Sequence, residues 1–192
     1  MAITTTYRGI EYRSRLEARY AAFFTALGWR YTYEPFDADG YIPDFVIHGN
    51  APLLVEVKPA VTVEEFNAPV AKLTAGLTRH WTHDVLIVGA SPLPLLCPFA
   101  NAATGLVAGL LGEPEHGWDD DAEVLGWRWQ PGQWITCRNC GSAAIYHPEM
   151  TFSSRPCGCY DGDHYLGHIH ERVIADAWAA ACNDVKWRGR AA

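Results

Sequence analysis

The alternation of apolar and polar positions divides the chain into a regular series of short elements before residue 92 and a less regular half after it. Leu16, Tyr20, Phe23 and Leu27 fall on one stripe at helical spacing, with Gly28 as a stop, and predict an amphipathic helix over 10–27. Residues 29–34 alternate as a strand that Pro35 ends. Two apolar runs, 45–47 and 53–57, are bounded by Pro and Gly and joined at Gly49-Asn50, which reads as a tight hairpin. Residues 62–80 read as a helix broken or restarted at Pro69, with Val70, Leu73 and Leu77 inward, and 84–89 as a buried strand. The order is helix, strand, strand, strand, helix, strand, which predicts an α/β fold: an αβββαβ core with helices packed on a mixed sheet.

The second half is harder to read. Residues 91–98 form a Pro-punctuated apolar connector, and 106–112 read either as a short strand or as part of an Ala/Leu-rich helix. Residues 113–123, with Asp119-Asp120-Asp121 at the centre, read as an acidic solvated loop. A closing helix is predicted over 169–185 with Val173, Ile174, Ala177, Trp178 and Ala181 inward. The resulting division is a core at 1–100, an extension at 101–168, and a C-terminal helix at 169–192 that packs on the core.

Composition limits the function classes. With 192 residues, 49% of them hydrophobic and 19% charged, the chain can build one full core and has no long disordered segment. A net charge of -7 excludes wholesale electrostatic coating of nucleic acid, so any such binding needs a local basic patch. The start of the chain lacks a signal-peptide core, and no run of about 18 apolar residues exists, so the expected place is the cytoplasm with no membrane partner. The oligomeric state stays open, a homodimer included.

The charges of the hairpin are in unusual places. Period two puts Leu54, Glu56 and Lys58 on one face of the second strand and Leu53, Val55 and Val57 on the other. Asp44 and Glu56 lie equally far from Asn50, so a hairpin centred there sets two carboxylates opposite each other. Like charges so placed repel unless a cation sits between them, and a hard divalent ion fits. The plainer reading is a strand-end Asp44 with an exposed Glu56/Lys58 pair. Arg13 and Glu17 likewise read either as an i,i+4 surface pair or as part of the same site.

Glu17 on the first helix, Pro43-Asp44 on the second strand and Glu56-Val57-Lys58 on the third resemble the PD-(D/E)XK nuclease superfamily in kind and order. The segment from Tyr12 to Tyr20 is also similar to the opening of small phage and actinobacterial members. The resemblance spans residues 7–92 and implies a restriction-endonuclease-like core acting on DNA with Mg²⁺ or Mn²⁺. It implies that Asp44, Glu56 and the Val57 carbonyl hold the metal, that Lys58 serves the attacking water, and that Glu17 supports the site. Arg13, Arg15 and Lys72 are the cations available to nucleic acid near it.

Cysteines supply a second chemistry. Cys137-Arg-Asn-Cys140-Gly141 and Cys157-Gly-Cys159 form two knuckle-like pairs at near zinc-ribbon spacing and predict a small structural Zn²⁺ lobe. Cys-x-Cys departs from the usual Cys-x-x-Cys, which leaves His164 as a reserve ligand, and two disulfides are the alternative. Cys97 and Cys182 read as buried small hydrophobes, and His164, His168 and His170 as polar loop residues. The basic, aromatic ending at 186–190 reads as a nucleic-acid contact or as a complement to the helix dipole. The expected function is a metal-dependent nuclease, endo- or exo-. A catalytically silent binding module of the same fold, for nucleic acid or protein, is the alternative, and a glycosidase-like acid pair is disfavoured by the adjacent Lys58.

Overall fold

The computed structural model describes residues 3–62, 64–92, 106–116, 124–146, 153–154, 156–159 and 166–186. A two-stranded hairpin, β1 (Thr5–Tyr7) and β2 (Ile10–Tyr12), precedes helix α1 (Arg15–Ala26). The helix starts later than its apolar stripe predicts because Ser14 caps it: the extended Ser14 accepts a hydrogen bond from the Glu17 N–H at 3.1 Å. At the other end Gly28 takes φ 73°, its N–H donates to the Thr25 carbonyl, and the Trp29 N–H donates to Phe24. Trp29 then stacks on Phe24 with ring centroids 5.6 Å apart, which completes a Schellman stop.

The main sheet runs β3 (Arg30–Tyr33), β4 (Phe45–His48), β5 (Leu53–Val57), β6 (Val85–Val88), β7 (Val107–His116), β8 (Val124–Cys137), β9 (Ala143–Tyr146) and β10 (Ser153–Ser154), neighbour to neighbour in that order. β11 (Leu166–His168) pairs with the end of β8, beyond the point where β7 stops. β5 and β6 are parallel, joined through α2 (Asn67–Leu77), and the other pairs are antiparallel, so the protein is a mixed α/β fold. Elements α1, β3, β4, β5, α2 and β6 follow the order that the apolar pattern predicts. The extension from β7 onward continues the same sheet through the β6–β7 ladder.

Each face of the sheet carries its own core. Phe45, Ile47, Leu53, Val55, Val57, Leu86 and Val88 pack with α1 and with α3 (Glu171–Asp184). On the opposite face Leu54, Val85 and Ile87 pack with Phe66, Leu73 and Leu77 along α2. β5 is therefore buried at every position, and its polar residue Glu56 lies on the α2 face with Leu54.

Several elements differ from the sequence expectation for tertiary reasons. α1 buries Ala18, Ala21, Ala22 and Phe24 as well as Tyr20 and Phe23, because α3 covers the side turned away from the sheet. Trp178 of α3 meets Tyr20 at 5.0 Å and Phe23 at 5.7 Å between ring centroids. Val173 is half exposed, so the inward stripe of α3 is Ile174, Ala177, Trp178 and Ala181. Pro69 does not break a helix: a 3-10 turn at Glu64–Phe66 leads into α2, and Pro69 sits in the first α turn, where no intrahelical N–H is needed. Residues 107–116 form a strand because β6 and β8 both pair with them, which outweighs the helix propensity of Ala and Leu. The strand takes in 113–116 of the expected acidic loop, and Glu113 is buried. Asp119, Asp120, Asp121 and Cys97 lie outside the described residues.

Phe23 is fully buried and edge-on to both Trp134 of β8 and Trp178 of α3, so it links core, extension and C-terminal helix. Phe23→Ala is expected to lower the unfolding free energy by about 3–5 kcal/mol, read by urea denaturation.

Candidate active site and metal centre

The β4–β5 ladder decides how the central carboxylates meet. Phe45 lies opposite Val55 and Ile47 opposite Leu53, a register centred on Asn50 that brings Asp44 level with Glu56. Both acids are almost completely buried, at 4% and 3% exposure. The Val57 N–H donates to Asp44 Oδ2 at 2.8 Å, and the Asp44 N–H points at Glu56 Oε2 at 3.4 Å. Lys58 Nζ pairs with Glu56 Oε1 from the same strand face.

Arg13 supplies the second resident cation. It lies between β2 and α1, and its guanidinium reaches Asp44 Oδ1 at 2.6 Å and Glu34 Oε1 at 2.8 Å. Glu17 is 3.9 Å away, so the i,i+4 contact expected from spacing exists but is the weakest of the three. Glu17 is instead held by Tyr33, whose hydroxyl donates to Glu17 Oε2 at 2.6 Å while accepting the Arg13 N–H at 3.0 Å. Glu34 reaches Arg13 from a left-handed backbone conformation, φ 47°, at the end of β3, and its N–H donates to the Asp44 carbonyl at 2.9 Å. A non-glycine residue held there costs about 1 kcal/mol or more, and such residues gather at functional sites.

Arg13, Glu17, Tyr41, Asp44, Glu56, Val57, Lys58 and Lys72 all line one open cavity of about 370 Å³. Arg15, the first residue of α1, does not line it. Burial, then the neighbouring Glu56 charge, push the Asp44 carboxyl up to about 7, against the pull of the Val57 N–H and Lys58. Burial and then Glu56 also raise the Tyr41 phenol. The Tyr41 hydroxyl is buried with no hydrogen-bond partner, which costs about 1–3 kcal/mol in a closed protein. Two buried carboxylates and a buried phenol thus share one wall of the cavity with Arg13, Lys58 and Lys72, a donor set that could take up a cation or an anionic ligand.

Tyr33, Glu34 and Tyr41 were not singled out by sequence reasoning. Their signal was weak: two tyrosines among alternating residues and a glutamate before a proline look like ordinary edge-strand positions.

The second centre lies at the far end of β8. Cys137, Cys140, Cys157 and Cys159 are free thiols whose sulfurs all lie within 4.8 Å of one another, close enough to share one metal ion such as zinc. A tetrahedral zinc–thiolate site needs sulfurs about 3.8 Å apart, from a bond of about 2.3 Å. Gly141 (φ 76°) and Gly158 (φ 74°) turn the two knuckles, and the Gly141 N–H closes the first onto the Cys137 carbonyl at 2.7 Å. Hydrogen bonding with Ser142 pulls the Cys140 thiol down, while burial pushes the Cys157 thiol up to about 12, so the metal-free thiols are held unequally. The Cys-x-Cys pair thus places both its sulfurs in the set, and His164 lies outside the described residues. Among the described residues these cysteines are the one group of three or more His, Cys, Asp or Glu side chains this close together. Glu17 accordingly stands apart from the Asp44/Glu56 pair.

Other predicted residues have structural places. His170 caps α3, accepting the Arg172 N–H at 3.3 Å, and Cys182 lies half-buried on that helix. His168 is in β11, and the ending beyond 186 lies outside the described residues. Among the described residues no helix is long and apolar enough to cross a membrane.

No family model matches the sequence, and no curated protein or solved structure matches the chain.

Two outcomes follow from this geometry. Metal analysis of protein purified without chelators should find about one zinc per chain, and Cys140→Ser should lose it together with several degrees of melting temperature. Asp44 has a folded pKa of about 7 against an ordinary 3.8, so its contribution favours the metal-free fold below about pH 4 and is lost as pH rises through 7. Asp44→Asn should therefore melt no lower than the parent at pH 8 without metal, and its advantage should shrink steadily towards pH 4 in thermal melts across that range.

Proposed function

We propose that the chain is a metal-dependent nuclease that hydrolyses phosphodiester bonds of DNA, with a restriction-endonuclease-like core of the PD-(D/E)XK type, and that it serves phage or mobile-element DNA processing. The observation that supports this reading is the meeting of Asp44, Glu56 and Lys58 at the wall of one open cavity, both acids buried and one carrying a pKa near 7. Surface ion pairs would not be buried in this way.

Mg²⁺ or Mn²⁺ fits the donor set, since paired carboxylates and a backbone carbonyl are hard oxygen ligands. Asp44, Glu56 and the Val57 carbonyl would hold it, and when bound it neutralises charge on the phosphate and acidifies a water. Lys58 lies beside Glu56, where its ammonium positions the attacking water and offsets charge gathering on the phosphoryl oxygens. The water oxygen bonds to phosphorus as the ester P–O bond breaks, and the water's proton ends on the departing alcohol. Tyr33 and Arg13 hold Glu17 at the edge of the cavity, where it supports the metal's water shell. Arg13, half exposed and paired with Asp44, would be free to bind a substrate phosphate if a metal neutralised Asp44 in its place.

A specific observation favours the second reading, a silent binding module for nucleic acid or protein. Arg13 and Lys58 already pair with Asp44 and Glu56, so the acids have partners without a metal. Divalent-ion titration separates the two readings. The nuclease should gain several degrees of melting temperature from Mg²⁺ or Mn²⁺ and cut labelled linear, circular or branched DNA, with cutting stopped by EDTA. Asp44→Asn and Glu56→Gln should lose both the cutting and the metal-induced shift. Lys58→Ala should lose cutting and keep the shift. Asp44→Asn protein that still cuts would assign these charges to structure alone.

A further inference from the structure

The cavity at Asp44 and Glu56 does not end at Tyr41. Gly40, Tyr41 and Lys72 also line a second cavity, about 520 Å³, between α2 and the loop that precedes β4. Lys72, Ala75, Gly76 and Arg79 follow one another at i, i+3, i+4 and i+7, so one face of α2 and its following turn presents cation, two small residues and cation along the groove floor. Lys72 and Arg79 are exposed, and among the described residues neither has a carboxylate within ion-pair distance. Asp39, the acid on the wall, is taken by His80 at 3.1 Å. At the junction of the two cavities the Lys72 ammonium lies 5.3 Å from the Tyr41 ring centre, and the Tyr41 hydroxyl is nine-tenths buried and unpartnered. A groove with two cations free of carboxylates, small residues beneath them and a buried phenol beside Glu56 at its inner end suits an anionic chain.

We propose that this groove holds the sugar-phosphate backbone of the DNA strand flanking the cut, with Tyr41 and Lys72 on the phosphate nearest the metal pocket and Arg79 on one farther out. From Lys72 to Arg79, beyond the end of α2, seven residues at helical rise cover about 10 Å, more than one phosphate step of an extended single strand. The volume suits a single strand, since a duplex could not enter between a helix and a loop. A Cβ at Gly76 would meet the Tyr41 side chain at 3.5 Å, so the small residue there lets the ring lie against α2 beside Lys72. The assignment rests on the nuclease reading, which it extends from the reaction to the path of the substrate.

The test uses a fluorescein-labelled single-stranded oligonucleotide and full-length Lys58→Ala protein in Mg²⁺, with anisotropy measured across a salt series, alongside cleavage by the wild type. Adding Lys72→Gln and Arg79→Gln should weaken binding tenfold or more at low salt and make the slope of log K against log salt shallower by about 1.4, for two phosphates at about 0.7 each. Both side chains are exposed, so the melting temperature should not move. In the wild-type background Tyr41→Phe keeps the ring beside Lys72 and should cut about tenfold more slowly without melting lower. If the wild type cuts but affinity and slope are unchanged in the double variant, the groove assignment is overturned while the nuclease reading stands. If the wild type does not cut yet the double variant binds weakly with the shallower slope, the groove is a nucleic-acid site and the nuclease reading fails. No binding and no cutting overturns both.

Discussion

The register of the β4–β5 hairpin is the constraint on which the site depends. With the turn centred on Asn50, Asp44 comes level with Glu56, and the side-chain period of two turns both toward the α2 face at the end of the sheet. A slip of one residue would send Glu56 into the aromatic core beneath α1 and bring Val55 or Val57 to the cavity. That slip is opposed from both sides, because Leu53, Val55 and Val57 are matched to the α1 core and Leu54 to the α2 core. Packing of apolar neighbours thus places the two acids where their own charges would not take them.

Two buried carboxylates need compensation, and the chain supplies it with partly exposed cations. Arg13 is half exposed and Lys58 about one-third exposed, whereas Asp44 and Glu56 are nearly closed off. Withdrawing either cation would leave a buried carboxylate uncompensated, which is costly unless another positive charge takes its place. Asp44 is tied by the Val57 N–H and its pKa remains raised despite its cationic neighbours, so compensation by Arg13 and Lys58 is incomplete. Burial and the Glu56 charge therefore outweigh the Val57 N–H and Lys58 in setting the Asp44 carboxyl.

Much of the site was legible because it rests on local rules. Apolar runs mark the two strands, alternation gives the faces, and the equal spacing of Asp44 and Glu56 about Asn50 gives the register. The tight Gly49-Asn50 turn, by contrast, does not form: Ile47 pairs with Leu53, residues 48–52 lie between them, and neither Gly49 nor Asn50 takes a positive φ. What stayed hidden depends on distant contacts. Tyr41 meets α2 and Lys72 across the loop before β4, Glu34 reaches Arg13 from a left-handed backbone conformation at the end of β3, and the Tyr33 hydroxyl lies between Arg13 and Glu17. The all-round burial of α1 needs α3, which comes last in the chain, and strand β7 needs ladders on both of its edges before Ala and Leu read as anything but helix. The cysteine knuckles were legible for the opposite reason: ligand spacing and the two glycines are properties of the local chain.

The two proposed metal sites also keep apart by chemistry. Thiolates select zinc, and a set of four leaves no open position, while oxygen ligands on a half-open cavity leave room for water and a phosphate. β8 joins the two regions mechanically: its end carries Cys137, and within the same strand Trp134 packs on Phe23 and Trp29 beneath the sheet. An ion at the cysteines fixes the end of that strand and the β9 and β11 partners beside it, so it acts on the site only through the rigidity of the shared sheet. Loss of that ion should therefore loosen the extension first and reach Asp44 and Glu56 only as far as Trp134 stops bracing α1. On the proposed reading the cysteine centre would serve the stability of the fold, and the hairpin its chemistry.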